Sequence, residues 1–165
     1  MNKTEKLIYE MIVYFDGDTK RINHFIKVFG FAKTISEGEN IDINILRIIE
    51  AAAIVHDIGI KISEEKYNSA NGKYQEKEGP AEAKKILSSL NFEQNLIERV
   101  CFIVGHHHTY DNINGIDYQI VVEADFLVNI FEEKINKEQI KYIKNKIFKT
   151  KTGTQLLEKM YLKEL

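Results

Sequence analysis

The stretch Ala51-Ala52-Ala53-Ile54-Val55-His56-Asp57-Ile58-Gly59 sets two ionisable side chains directly after a run of small and branched apolar residues. Upstream, Leu46, Ile49, Ala52 and Ala53 recur at the 3.6-residue spacing of one helix face. His56 follows Ala53 by three residues, Ala52 by four and Ile49 by seven, so the same stripe carries it inward. Asp57 then falls at the helix end, where Gly59 permits termination. Burying such groups is costly unless they pair with one another or hold a metal ion.

Working outward, helical spacing recurs and strand alternation is weak. A first helix is expected over residues 3–15, with Leu7, Ile8, Met11, Ile12 and Phe15 on its apolar side. Asp18 caps a second that runs to about Ile35 and turns Ile22, Phe25, Ile26, Phe29 and Ala32 inward. Asp42 caps the third. Residues 61–78 are rich in Lys and Glu, contain the turn signal Asn71-Gly72, and read as a long polar loop. Within it, Lys73, Tyr74, Gln75 and Glu76 are placed to line or cover a pocket. Pro80 suits the first turn of a fourth helix that ends near Leu90. A fifth follows from Glu93 to His106, a sixth from Tyr118 to Glu133, then two shorter ones split near Thr152-Gly153. The expected fold is all-α, with about seven or eight helices in one domain over residues 1–165. Residues 18–133 form its motif-bearing core and 134–165 its C-terminal helices.

The 165 residues, 44% hydrophobic and 29% charged, are ordinary for a soluble globular domain. A formal net charge of −2 creates no field that would favour nucleic acid or a membrane surface. The lysines of the C-terminal region (137, 141, 144, 146, 149 and 151) alternate with Ile140, Ile143 and Ile147, as on the solvated face of an amphipathic helix. The lone Cys101 excludes an internal disulfide and sits in an apolar run as a small hydrophobe. With no signal-peptide pattern, a cytoplasmic location is expected.

The five histidines fall at three places: His24 on the second helix, His56 on the third, and His106, His107 and His108 at the end of the fifth. His24 aligns with Val28 and Phe31, while Asp125 shares a stripe with Val121 and Val128. Imidazole nitrogens joined by carboxylate oxygens suit divalent transition metals such as Mn, Fe, Co, Ni or Zn, with Mg also admissible.

In the order His24, His56-Asp57, Asp125, with gaps of roughly 30 and 70 residues, this pattern resembles the HD-domain superfamily of metal-dependent phosphohydrolases. The likeness spans about residues 20–130 and leaves out the last 30 or so. It implies a first metal on His24, His56, Asp57 and Asp125. Many two-metal members add three histidines, with the paired Asp bridging the ions. By that likeness a second ion would take Asp57, His106, His107 and Glu78, the last standing in Glu78-Gly79-Pro80 where such members carry a His. Its implied partner is a small phosphorylated or nucleotide substrate, with no nucleic acid, no membrane and an open oligomeric state.

Arg21, one helical turn before His24, and Lys61, four residues after Asp57, are candidate phosphate contacts. His108 and Tyr110 are candidate proton donors, and Glu123 reads as an exposed helical residue. A di-iron oxygenase on the same helical scaffold, or a non-catalytic metal- or nucleotide-binding module, are the alternatives this ligand pattern leaves open.

Overall fold

The computed structural model describes residues 1–163, so the last two residues of the expected C-terminal helices lie outside the described residues. Among the described residues there is no strand, as expected, and nine α-helices follow one another along the chain. They are α1 (Lys3–Phe15), α2 (Thr19–Gly38), α3 (Ile43–Val55), α4 (Gly59–Tyr67) and α5 (Gly72–Ser89). Then come α6 (Gln94–Val104), α7 (Ile116–Glu132), α8 (Lys137–Ile147) and α9 (Lys151–Leu157), with a final π-helical turn over Glu158–Leu162.

Helix starts follow the caps in the sequence. Asp18 accepts from the Arg21 amide, Asp42 from Asn44 and Asn71 from Lys73, each satisfying a donor that the first helical turn leaves free. Helix α3 is central: Ile49 and every residue from Ala51 to Val55 are buried against α2, α6 and α7. Ile12 and Ile26, expected inside, are instead 39% and 38% exposed at the edges of their stripes.

The largest departure from the sequence reading is residues 61–78. In place of a loop, α4 and α5 pack closely as a helical hairpin around the turn Asn68–Asn71. Gly59 does not end α3. It begins α4, and a Cβ there would lie 2.5 Å from the Gln75 carbonyl oxygen and 2.9 Å from the Gly79 nitrogen. Glycine at this crossing lets the two backbones meet. Pro80 stands well inside α5, not in its first turn, and there it forgoes the amide bond to the Glu76 carbonyl. No described helix is long and apolar enough to cross a membrane.

Candidate metal centre

His56 closes α3 in ordinary right-handed helical geometry, and the chain turns through Asp57 and Ile58 straight into α4. That turn is fixed by the Ile58 amide donating to Val55 and the Ile60 amide to Asp57. His24 reaches the turn from α2 and Asp125 from α7. His24 Nε2 lies 3.2 Å from His56 Nε2 and 3.1 Å from Asp125 Oδ1. Asp57 Oδ2 is 3.4 Å from each of those two imidazole nitrogens. Helices far apart in sequence therefore bring all four sequence-predicted residues of the first group to one point.

The outer edges of the rings are fixed as well. His56 Nδ1 donates to the Ala53 carbonyl at 2.8 Å, and His24 Nδ1 faces Glu132 Oε2 at 2.9 Å. With Nδ1 protonated on both rings, both Nε2 lone pairs point at each other and at two carboxylates. Electron-rich atoms this close need a cation between them, either a proton or a metal ion. Orienting the far imidazole nitrogen with a carbonyl or carboxylate is what a metal-binding histidine requires.

Burial alone lowers the affinity of His56 for a proton, but Asp57 and Asp125 outweigh it and raise its pKa to about 9. For the same reason Asp57 is held well below the ordinary carboxylate range: against its burial stand the His56 charge and the His107 hydrogen bond.

A second group shares Asp57. Its Oδ1 lies 3.3 Å from His107 Nε2, and His107 Nδ1 donates to the Val104 carbonyl. Donor atoms of Asp57, His107 and His108 lie within 4.8 Å of one another, as do those of His24, His56 and Asp57. The histidines that come together are thus 107 and 108, not 106 and 107. His106 is exposed, stacks on Phe102 and donates to the Phe102 carbonyl.

Glu78 is also elsewhere, bound to Lys66 Nζ at 2.6 Å and to the Tyr67 hydroxyl at 2.7 Å. The α5 residue that does reach this group is Gln75. Its amide nitrogen donates to the Ala70 carbonyl, so its oxygen faces His108 Nε2 at 3.2 Å. Lys61 points away from the site, donating to the Tyr14 carbonyl and lying over the Tyr14 ring.

A polar pocket of about 320 Å³ opens over both groups. Arg21 lies on its wall, held by Asp18 at 3.0 Å and Glu64 at 2.5 Å. His108 lies at its base, where burial, and next the neighbouring His107, push its pKa down to about 4. Tyr110 is kept protonated by burial and by Asp125, and its ring packs on Phe126. From α7 come Asn129 and Glu132, which the sequence reading passed over. The signal was present: Asp125, Asn129 and Glu132 recur at i, i+4 and i+7 among the apolar residues of the second half of α7.

Glu123 is fully buried on another face of α7, away from both groups. It accepts from Gln119, the amides of Lys149 and Thr150, and the Thr150 hydroxyl.

An all-helical bundle that gathers His, His-Asp and Asp from α2, the α3–α4 turn and α7 has the architecture that the motif order implied. The family model for the HD domain matches residues 21–163, and the chain belongs to that family. The match takes in the C-terminal helices that the sequence motif left outside. Among solved structures, a predicted HD superfamily hydrolase from an uncultured Thermotogales bacterium is similar in fold, with a TM-score of 0.66 at 20% identity. The alignment covers 96% of this chain and 83% of that one. No curated protein matches the chain.

Proposed function

We propose that this protein is a metal-dependent phosphohydrolase that cleaves a small phosphoester. The carrying observation is the pair of imidazole lone pairs, His24 Nε2 and His56 Nε2, that converge with Asp57 and Asp125 while each Nδ1 is committed outward. Two nitrogens and two carboxylate oxygens fit a divalent transition metal. When bound, such an ion acidifies a coordinated water and polarises a phosphoryl oxygen.

The chain's own residues prepare the remainder. Glu132 and the Ala53 carbonyl fix the two rings. Asp57 offers one oxygen to each group, so it is the residue able to join two ions. His108 donates Nε2–H to Gln75 and stays neutral, which leaves its Nδ1 lone pair free. Lys20, exposed at the pocket wall with no ion pair among the described residues, is the cation free to meet a substrate phosphate. The Arg21 charge is already shared between two carboxylates.

Elemental analysis of freshly purified protein, followed by a phosphoester panel with the metal found, tests this reading. Oxygen uptake is followed in parallel. Hydrolysis that disappears together with bound metal in Asp57→Ala is the expected result. Oxygen consumption without hydrolysis under any metal would overturn it in favour of an oxygenase.

A further inference from the structure

The walls above the metal centre carry information about the substrate, on the reading that this centre cleaves a phosphoester. The pocket, about 320 Å³, is at the small end of ligand cavities, which run from about 300 to 1,000 Å³. No Phe, Tyr or Trp lines it among the described residues; the rings that do are the small imidazoles of His24 and His108, which already pack against His56 and His107 and leave a nucleobase little to stack on. Five carboxylates line it, Asp18, Asp57, Asp125, Glu132 and Glu133, against Lys20 and Arg21 alone. Even with one divalent ion bound, acidic groups prevail, and a polyphosphate chain would meet repulsion.

The groups left unspent complete the picture. Asn129, one turn beyond Asp125, makes no side-chain hydrogen bond to another described residue, and Glu133 beside it has neither hydrogen bond nor ion pair from its side chain. Both line the pocket near the end of α7, Glu133 with a carboxylate acceptor and Asn129 with an amide that offers an acceptor oxygen as well as N–H donors. Acceptors there suit donors on the alcohol part of an ester.

We infer that the pocket takes a small phosphomonoester whose alcohol carries hydroxyl or ammonium donors, and that it disfavours nucleotides and polyphosphates. The phosphate sits over the His24–His56–Asp57–Asp125 group beside Lys20. The alcohol's donors face Asn129 and Glu133.

The test uses the full chain loaded with Mn. Binding of a pentose 5-phosphate, phosphoethanolamine, phenyl phosphate, AMP and ATP is measured by calorimetry, and their hydrolysis by phosphate release. At least one of the first two is expected to bind about tenfold tighter than AMP and ATP, and which of them does so separates hydroxyl from ammonium recognition. Asn129→Leu is expected to cut the preference over phenyl phosphate by about fivefold, the worth of one ordinary hydrogen bond. The conservative Asn129→Gln should restore part of it.

Equal or tighter binding of AMP or ATP overturns the inference. So does failure of both donor-bearing esters to bind at millimolar concentration, or an unchanged preference in Asn129→Leu. If the donor-bearing ester binds best and nothing is hydrolysed, the pocket assignment stands and the hydrolase reading falls.

Discussion

A proton and a metal ion compete for the same lone pairs between His24 and His56. The pKa of His56 is raised to about 9, and that of His24 is also raised, its burial being outweighed by Asp125 and Asp57. In the metal-free protein the shared proton therefore stabilises the fold fully below about pH 6.5, the unperturbed histidine value. That contribution is lost as pH climbs through about 9. The metal-free protein should accordingly melt at lower temperature at pH 9 than at pH 6.5, with added Mn or Zn restoring the difference. Metal uptake should release protons across that window, and apparent affinity should rise by about tenfold per pH unit for each proton displaced. Isothermal calorimetry in buffers of different ionisation enthalpy counts those protons.

The two groups should differ in strength, because Gln75 spends its carbonyl on His108. About one tightly held ion per chain is expected, and Gln75→His should raise occupancy toward two, as read by elemental analysis. His24, His56 and Asp125 were legible from sequence because each shares a stripe with apolar residues, and Asp57 because it adjoins His56 in the ordered motif that the HD-domain resemblance implies. The choice among three adjacent histidines was not. Helix α6 ends at Val104, so beyond it the turn geometry, and no longer helical periodicity, decides which rings point inward.

The α4–α5 hairpin was read as a loop for a physical reason. Its buried residues are Gly59, Ile60 and Ser63 on α4, and Gln75, Gly79, Ala83 and Leu87 on α5. Small and polar side chains fill most of the inward positions near the site, so no apolar stripe marks the helices there. The close crossing needs those small residues. Gly59→Ala would drive a Cβ into the Gln75 carbonyl and the Gly79 backbone, atoms that cannot move aside as a flexible side chain would. A loss of about 1–3 kcal/mol is expected from such overpacking. Because Gln75 moves with α5, the variant should also weaken binding at the Asp57–His107–His108 group more than at the His24–Asp125 side. Denaturant unfolding and metal titration together check both effects.

Across the whole molecule, the metal centre depends on how α2 and α7 are held together, since one carries His24 and the other Asp125. The C-terminal helices do part of that holding. Glu39 at the end of α2 accepts from the Thr152 amide at the start of α9, and the Tyr161 hydroxyl donates to the Leu127 carbonyl on α7. Glu123 ties α7 to the α8–α9 junction through three donors, the Lys149 and Thr150 amides and the Thr150 hydroxyl. The sequence suggested an exposed glutamate there, because the partners that satisfy it come from residues 149 and 150, which no local pattern links to α7.

Burial raises the pKa of Glu123, with the hydrogen bonds opposing that shift. The folded state thus holds its proton more readily than the unfolded chain, and this site's contribution to stability declines as pH rises above the ordinary carboxyl range. Glu123→Ala would leave the Thr150 amide and hydroxyl without their acceptor in a buried setting, a cost of roughly 3 kcal/mol or more. Amide hydrogen exchange should then accelerate first in residues 149–157, with α3 staying protected, since α3 packs chiefly on α1, α2, α6 and α7. Loosening that end frees α2 relative to α7, so affinity at the His24–Asp125 side should fall while the Asp57–His107–His108 group, carried by the α3–α4 and α6–α7 connections, is largely spared. Uniform acceleration of exchange over the whole chain would show instead that Glu123 supports the fold globally and that the C-terminal helices have no separate hold on the metal centre.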